Sequence, residues 1–493
     1  MRARFTDWDS NVLPCRWQTW IKRAIIFIKT ISTQMGNHFD VIVVGGGTSG
    51  ISAALAAAKN GCRTLLIETS SYLGGEMVSG LPLDGCLNAK GQWIVGGIAG
   101  ALFDICRKYG GYIGPVFDWR LNYGVCLDPE ILKLAIAREI DRQAVHILLY
   151  SFCDQVVSDG KRIDHVSVIN KYGRSEYSAE FFIDCTGDAD LAVLAGVPYE
   201  KGDATGNLQP VSLIFRMANV DFPALLKFIR DNPRECILAE NPIIRKSPAE
   251  CALEIFRGGL PFVVLGAQGG LLHEAIGRGE VAPTTAIYMW PISVARGEMG
   301  LNMTRKAGID ATNIIELSQS YLDLGMQILQ GSIFLRNNIP GFGRSSLSMI
   351  NPCVGIRETR RIVGEYMLTA EDVIEGRKFK DGIAKGAHHI DLHGKGIEQK
   401  RIPVKDGRSY DIPYGCLVPV GIKNLLVAGR CISSTRDANG SVRVMGQCLA
   451  TGEAAGTAAA WCLQNAKNDV REVSVPAVRE ILKANGAVID STD

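Results

Sequence analysis

Between Asp40 and Glu68 the chain reads DVIVVGGGTSGISAALAAAKNGCRTLLIE, and few folds accept residues in that order. The run Val41 to Val44 is short and β-branched, as suits a strand covered on both faces of a parallel sheet. Gly45, Gly47 and Gly50 then form G-x-G-x-x-G at a strand-to-helix turn. The first glycine permits the tight turn, the second lets backbone approach a pyrophosphate, and the third lets helix and strand pack closely. Ser49 opens the Ala-rich helix that follows, whose unpaired N–H groups and positive dipole end would face the phosphates. Thr64 to Ile67 supplies a second strand ending at Glu68, whose carboxylate suits ribose hydroxyls. Strand, glycines, helix, second strand and acid in register predict an adenine-dinucleotide site.

At 493 residues the chain has room for two or more domains. A net charge of +2 without long charge runs argues for neither nucleic acid nor anionic membrane as partner. No apolar stretch reaches the roughly 18 residues of a transmembrane helix. The 14 cysteines are scattered and form no C-x-x-C, which speaks against a disulfide framework, a structural zinc site and a ferredoxin-type cluster. The expected compartment is the cytoplasm. Residues 1–37 stand outside the pattern. They include WIKRAIIFIKTI, which lacks the long apolar segment and cleavage site of a signal peptide. Either an amphipathic membrane-surface helix or an upstream extension before Met35 fits, and the extension, expected to be disordered, is favoured.

The remaining chain divides into a first cofactor-domain segment (38–198), a substrate or cap domain (199–343), a second cofactor-domain segment (344–465) and a helical C-terminal tail (466–493). In the first segment, Ser71 to Gly85 is glycine-rich, and Gly75 there is placed over the cofactor. Asp128 to Gln143 reads as an amphipathic helix with Asp128 as N-cap. Strands and a hairpin around Asp159-Gly160 lead to Phe181–Cys185, which stops at Thr186-Gly187-Asp188 beside the cofactor crevice. The inserted domain has strand-like VSLIFRMANV and helices near 223–230, 247–256 and 311–330. The last third of the chain again has the texture of residues 38–198. Asn424 to Arg430 is a buried strand ending in Gly429-Arg430, and Ser441 to Trp461 reads as one small-residue helix. That distant closure suits a flavin, whose N1/O2 edge a helix dipole can stabilise, so FAD is favoured over NAD.

These blocks resemble the FAD-dependent oxidoreductase family of two-dinucleotide-domain flavoproteins, often grouped with the HdrA-like flavoprotein subunit of heterodisulfide reductase. DVIVVGGGTSG, YLGG, FIDCTGDADLAVLAG, NMTRKAGIDAT, GIRETRRIVGEYMLT, IDLHG, IPYGCLVP and NLLVAGRCISS followed by GSVRVM carry the resemblance, from about Phe39 to Leu463. It implies an α/β fold: a discontinuous, GR2-type Rossmann-like FAD-binding domain with an inserted α+β cap. It also implies FAD held by Gly45, Gly47, Gly50, Glu68, Asp188, Gly429 and the Val444–Met445–Gly446 loop. A 4Fe-4S cluster would follow only by family analogy, and the missing cysteine spacing disfavours it.

For chemistry, Arg357 and Arg360 in GIRETRR and Arg443 in GSVRVM suit a substrate carboxylate or reduced anionic flavin, or structural ion pairs. Asp391 and His393 alternate along an expected strand and so share a face. They suit an acid/base pair or structural hydrogen bonding, and less well a metal. The expected activity is hydride transfer between a small organic substrate and N5 of a non-covalent FAD, with a separate electron carrier or acceptor. An electron-transfer subunit of an HdrA-like complex, a flavin monooxygenase or halogenase, and a non-enzymatic FAD-binding protein are the alternatives. Substrate, reaction direction and oligomeric state are not legible.

Overall fold

The computed structural model describes residues 36–396 and 398–490. The expectation for the N-terminal extension therefore lies outside the described residues, Gly36 and Asn37 apart. The first strand, His38–Val44, sits inside a seven-stranded sheet. Across it run His146–Leu148, Thr64–Ile67, His38–Val44, Gly173–Asp184, Ile163–Asn170 and Phe152–Ser158, with Leu425–Val427 also paired to Gly173–Asp184. Val41 faces Thr64 and Leu65 faces His146, both in parallel ladders. The inner strands are apolar on both faces because helices and further chain cover both sides.

One strand joins the two halves of the chain. The twelve residues Gly173–Asp184 pair antiparallel with Ile163–Asn170 along their first half. Their last three, Phe182 to Asp184, pair parallel with Leu425 to Val427. The preceding hairpin turns at Asp159-Gly160, where Asp159 Oδ1 accepts from the amides of Lys161 at 2.8 Å and Arg162 at 2.7 Å.

The Ala-rich helix Thr48–Lys59 packs against a second helix, Met445–Gln464. Small side chains bring the two backbones together: a Cβ at Gly452 would strike the carbonyl oxygen of Ser49, and one at Gly456 that of Ala53. Ser52 Oγ donates to the Leu449 carbonyl at 2.7 Å across the same contact. The single helix expected over Ser441–Trp461 is in fact broken. Arg436–Val442, capped by Thr435, ends first, and Val444 is extended before Met445 starts the long helix. The break leaves the first turn of the long helix open. Helix Pro129–Arg142 starts as expected, with Asp128 accepting from the Glu130 amide at 3.0 Å.

A second, antiparallel sheet runs Val263–Gly266, Ala286–Ser293, Glu298–Asn302, Phe215–Ala218 and Ser346–Ile350. Its own core includes Phe215, Met217, Leu225, Ile287 and Leu301. Around it stand Phe222–Asp231, Pro248–Gly258 with a Ser247/Glu250 capping box, and Ile314–Asn338. The sheet reaches past Gly343, because Leu347 and Ile350 lie opposite Met217 and Phe215. Two small hairpin-like pairs follow, Gly382–Gly386 with Tyr410–Pro413 and Ile390–His393 with Gln399–Ile402. Helix Val475–Ala484 lies in the C-terminal segment. Among the described residues no helix is long and apolar enough to cross a membrane.

The helix pair carries one buried acid. Glu453 accepts from the Ile98 amide at 3.1 Å, and burial pushes its carboxyl up to about 7 despite that bond and Lys59. The folded state holds this proton to about pH 7 while an unfolded glutamate releases it near pH ~4.3, so stability falls as pH rises between the two. Glu453→Gln is therefore expected to stabilise the protein by about 3 kcal/mol at pH 8 and to flatten that decline. Urea unfolding at pH 5 and pH 8 checks both, and an unchanged pH slope would count against the assignment.

Candidate flavin site

The two helix N-termini open onto one cavity of about 590 Å³. Gly47 is the N-cap of Thr48–Lys59 and Val444 that of Met445–Gln464, and neither helix has a side-chain cap or an acid in its first turn. Their orphan amides and positive dipole ends thus face space that an anion can occupy. Gly47, Ser49, Val444 and Met445 all line the cavity. A Cβ at Gly47 would meet nothing within 4 Å, so the room there belongs to a ligand and not to the protein.

The other glycines shape the walls. Gly45 has φ +98°, and a Cβ on it would run into the Cys185 carbonyl. Gly50 sits on the Gly45 carbonyl, where no side chain fits. Gly75 lies against Gly47, its Cβ position 3.0 Å from the Gly47 Cα. A Cβ on Gly429 would reach Ser49 Oγ at 2.5 Å, and one on Gly446 would reach the Gly85 carbonyl carbon at 2.5 Å. Gly50, Gly429 and Gly446 therefore close walls and do not line the cavity surface.

Glu68 ends its strand at the cavity edge, its Oε2 accepting from the Gly46 amide at 2.5 Å and its Oε1 from the Ser70 amide at 2.6 Å. Across the sheet, Arg430 donates to the Gly187 carbonyl at 2.8 Å and to Asp188 at 2.6 Å, while Thr359 Oγ1 donates to Asp188 at 2.5 Å. Asp188 is thus a brace between the two halves of the chain as well as a lining residue. Asp184, one turn before it, is buried and accepts from Thr186 and Ala192, and burial nevertheless pushes its carboxyl up to about 6.

The far end is polar and rich in arginine. Arg357, Arg443, Asp391 and His393 meet there, as do Arg120, Asp84, Arg305, Gln399, Arg401 and the stacked rings of His388 and His389. Strand Ile390–His393 puts Asp391 and His393 on one face, 3.0 Å apart. Gln399 Nε2 donates to His393 Nδ1 at 2.8 Å, so the ring proton sits on Nε2 and is donated to Asp391. Burial, with Arg357 and Arg443 adding to it against Asp391, pushes His393 down to about 4, so the ring is neutral at pH 7. Burial works against an ionised Asp391, yet His393 and Arg443 hold its carboxyl well below the usual range. With His393 uncharged at neutral pH, the cations that keep Asp391 ionised are Arg443 at 3.6 Å and Arg401 at 3.9 Å. Among the described residues no three His, Cys, Asp or Glu side chains are grouped to hold a metal ion.

The structure does not bring Arg360 to this cavity. It lies in strand Arg360–Ile362, pairs with Asp190 and packs over Tyr199. Sequence reasoning passes over Asp84, Arg120, Arg305, Gln399 and Arg401. Asp84 alone carries a signal, as the one acid in the Ser71–Gly85 loop besides Glu76. Burial and the nearby Asp118 push it up to about 8 against the opposing Arg120, and Asn122 Nδ2 donates to it at 3.3 Å.

A glycine turn, an acid-ended second strand and a late returning strand around one cavity define a dinucleotide-binding flavoprotein fold. Over residues 40–482 the chain matches the family described as FAD dependent oxidoreductase, and it belongs to that family. It is similar to glutathione reductase of Yarrowia lipolytica, 38% identical over 161 residues, 30% of this chain and 32% of that protein. It is also similar to the tRNA uridine 5-carboxymethylaminomethyl modification enzyme MnmG of Karelsulcia muelleri, 48% identical over 72 residues, 14% of this chain and 12% of that one. The chain thus spans a third or less of the length of these relatives. Among solved structures, it is similar to a geranylgeranyl bacteriochlorophyll reductase-like protein from Thermoplasma acidophilum. That match has a TM-score of 0.41 at 14% identity, covering 92% of this chain and 84% of that one.

Proposed function

We propose that this enzyme transfers hydride between a small organic substrate and a non-covalently held FAD, with electrons passing to or from a separate carrier. Bound FAD supplies two-electron chemistry at N5. The glycine turn and the amides at Gly47–Ser49 would hold the pyrophosphate, and Glu68 the ribose hydroxyls. The N-terminus at Val444–Met445 would favour negative charge at the flavin's pyrimidine edge. The observation that carries this reading is the pair of uncapped helix N-termini, from opposite ends of the chain, on one cavity with open space at Gly47.

On the substrate side, both nitrogens of His393 are already engaged, so it orients Asp391 and Gln399 more readily than it accepts a proton. Asp84 is the better proton donor: it lines the cavity and keeps its proton to about pH 8. Asp84→Asn is expected to slow substrate-dependent flavin turnover about a hundredfold with FAD content intact. In the unsubstituted enzyme that rate should fall as pH rises through about 8. Stopped-flow absorbance between pH 6 and 9 measures both, and a flat profile or an unslowed variant removes Asp84 from this role. The reading as a whole is tested by anaerobic bleaching of the flavin against sugars, organic acids and NAD(P)H. Reduction by one of these supports it. Reduction only by a protein partner would instead make the chain an electron-transfer subunit.

A further inference from the structure

Interior arginines in this protein are given carboxylates. Arg216 pairs with Glu298 and Glu130, Arg361 with Glu358, Arg430 with Asp188, Arg401 with Glu240 and Arg436 with Glu358. Arg357 is the departure. Its Nη1 donates to the Pro210 carbonyl at 2.7 Å and to Ser212 Oγ at 2.6 Å, and it forms no ion pair with a described carboxylate. The Arg305 guanidinium, nearby, donates to the carbonyls of Gly394 and Gly396, with Glu398 close enough to act on it against burial. Arg443 reaches Asp391 at 3.6 Å, and its Nε is buried without a partner. Arg357 lines the cavity half-buried and without a paired carboxylate, so its partner is to be sought in what enters the cavity.

Two carboxyls act on Arg357 from across the cavity, Glu76 and Asp391, and neither forms an ion pair with it. Burial raises Glu76, against Ser79, Arg430 and Arg357, and its Oε1 has no partner. Asp84 keeps its proton to about pH 8. Asp391 is ionised but shared among Arg443, Arg401 and His393. Burial together with Arg443 pushes Arg357 itself down to about 10. Arg357 is anchored to the Pro210–Ser212 segment, which leads into the second sheet.

We infer that Arg357, with Arg443 and Arg305 beside it, forms a subsite for a small organic oxyanion, so that the substrate carries a carboxylate or phosphate group. This rests on the flavin reading of the same cavity. Planar guanidinium forks match either group, whereas a neutral sugar or amide leaves Arg357 without an anionic partner.

The test uses the FAD-loaded enzyme, titrated with malonate, inorganic phosphate and malonamide while the visible flavin band is recorded and heats are measured by calorimetry. Malonate, phosphate or both should bind and perturb the band, and malonamide should not. Which anion binds tells carboxylate from phosphate. Arg357→Gln should weaken anion binding at least about tenfold at unchanged FAD content, and Arg357→Lys should recover some of the loss. Malonamide binding as well as malonate, equal anion affinity in Arg357→Gln, or loss of FAD from that variant in place of loss of anion would each overturn the subsite. A colourless wild-type protein would fail the flavin reading itself, whereas a yellow protein indifferent to every anion fails this inference alone.

Discussion

Gly47→Val is expected to yield a folded protein without colour. The backbone at Gly47 is extended, φ −72° and ψ −164°, which a β-branched residue adopts readily, and its Cβ meets nothing within 4 Å. The ligand-free fold should therefore keep its stability to within about 0.5 kcal/mol. The added carbons occupy the space over the helix N-terminus, where overpacking against a pyrophosphate costs about 3 kcal/mol, or roughly a hundredfold in affinity. The neighbouring glycines behave differently. Valine at Gly45 or Gly50 would strike the Cys185 or Gly45 carbonyl and damage the fold before any cofactor arrives. Absorbance near the flavin band and a urea midpoint, measured on the same preparation, separate the two effects. Full yellow occupancy in Gly47→Val would contradict the placement of the pyrophosphate.

The second large effect is expected at Gly452→Val, behind Ser49 in the cavity wall. A side chain there meets the backbone of Ser49, which cannot yield as the tip of a flexible side chain can. The helix Met445–Gln464 must withdraw from Thr48–Lys59, stretching the Ser52–Leu449 bond and parting the two N-termini that share the cavity. A loss of about 3 kcal/mol in stability is expected, with weaker FAD retention in the protein that still folds. Unfolding by urea with and without added FAD measures both. A variant as stable and as yellow as the parent would mean that this contact does not hold the halves together.

Features that depend on near neighbours in the chain are legible in the sequence. The strand before Gly45, the helix after it and the acid at Glu68 follow from residue type and spacing, as do the Asp128 cap and the hairpin at Asp159-Gly160. The strand at Leu425 is recognisable as buried, and its place beside Phe182 follows from the parallel ladder. The break at Arg443–Val444 is not legible from residue type, because a run of small residues reads as helix throughout; only the family resemblance implies a loop at Val444–Gly446, and there the structure keeps Met445 and Gly446 helical. The strand Ser346–Ile350 escapes notice for a related reason: its side chains are largely exposed, so it lacks the apolar signature of an inner strand. Among the arginines, sequence spacing places Arg357 and Arg360 together, yet the fold sends them to different surroundings. Arg360 gains Asp190, while Arg357 faces the cavity without a carboxylate. Counter-charges come from elements distant in sequence, which is why Arg305, Arg120 and Asp84 also go unseen.

In the proposed site, the start and the end of this chain close around one flavin. Titrating the purified, intact protein with FAD, and following flavin fluorescence and visible absorbance, tests it most directly. One FAD per chain, released on unfolding, is the predicted outcome. A folded protein that stays colourless and takes up no added FAD would contradict the claim.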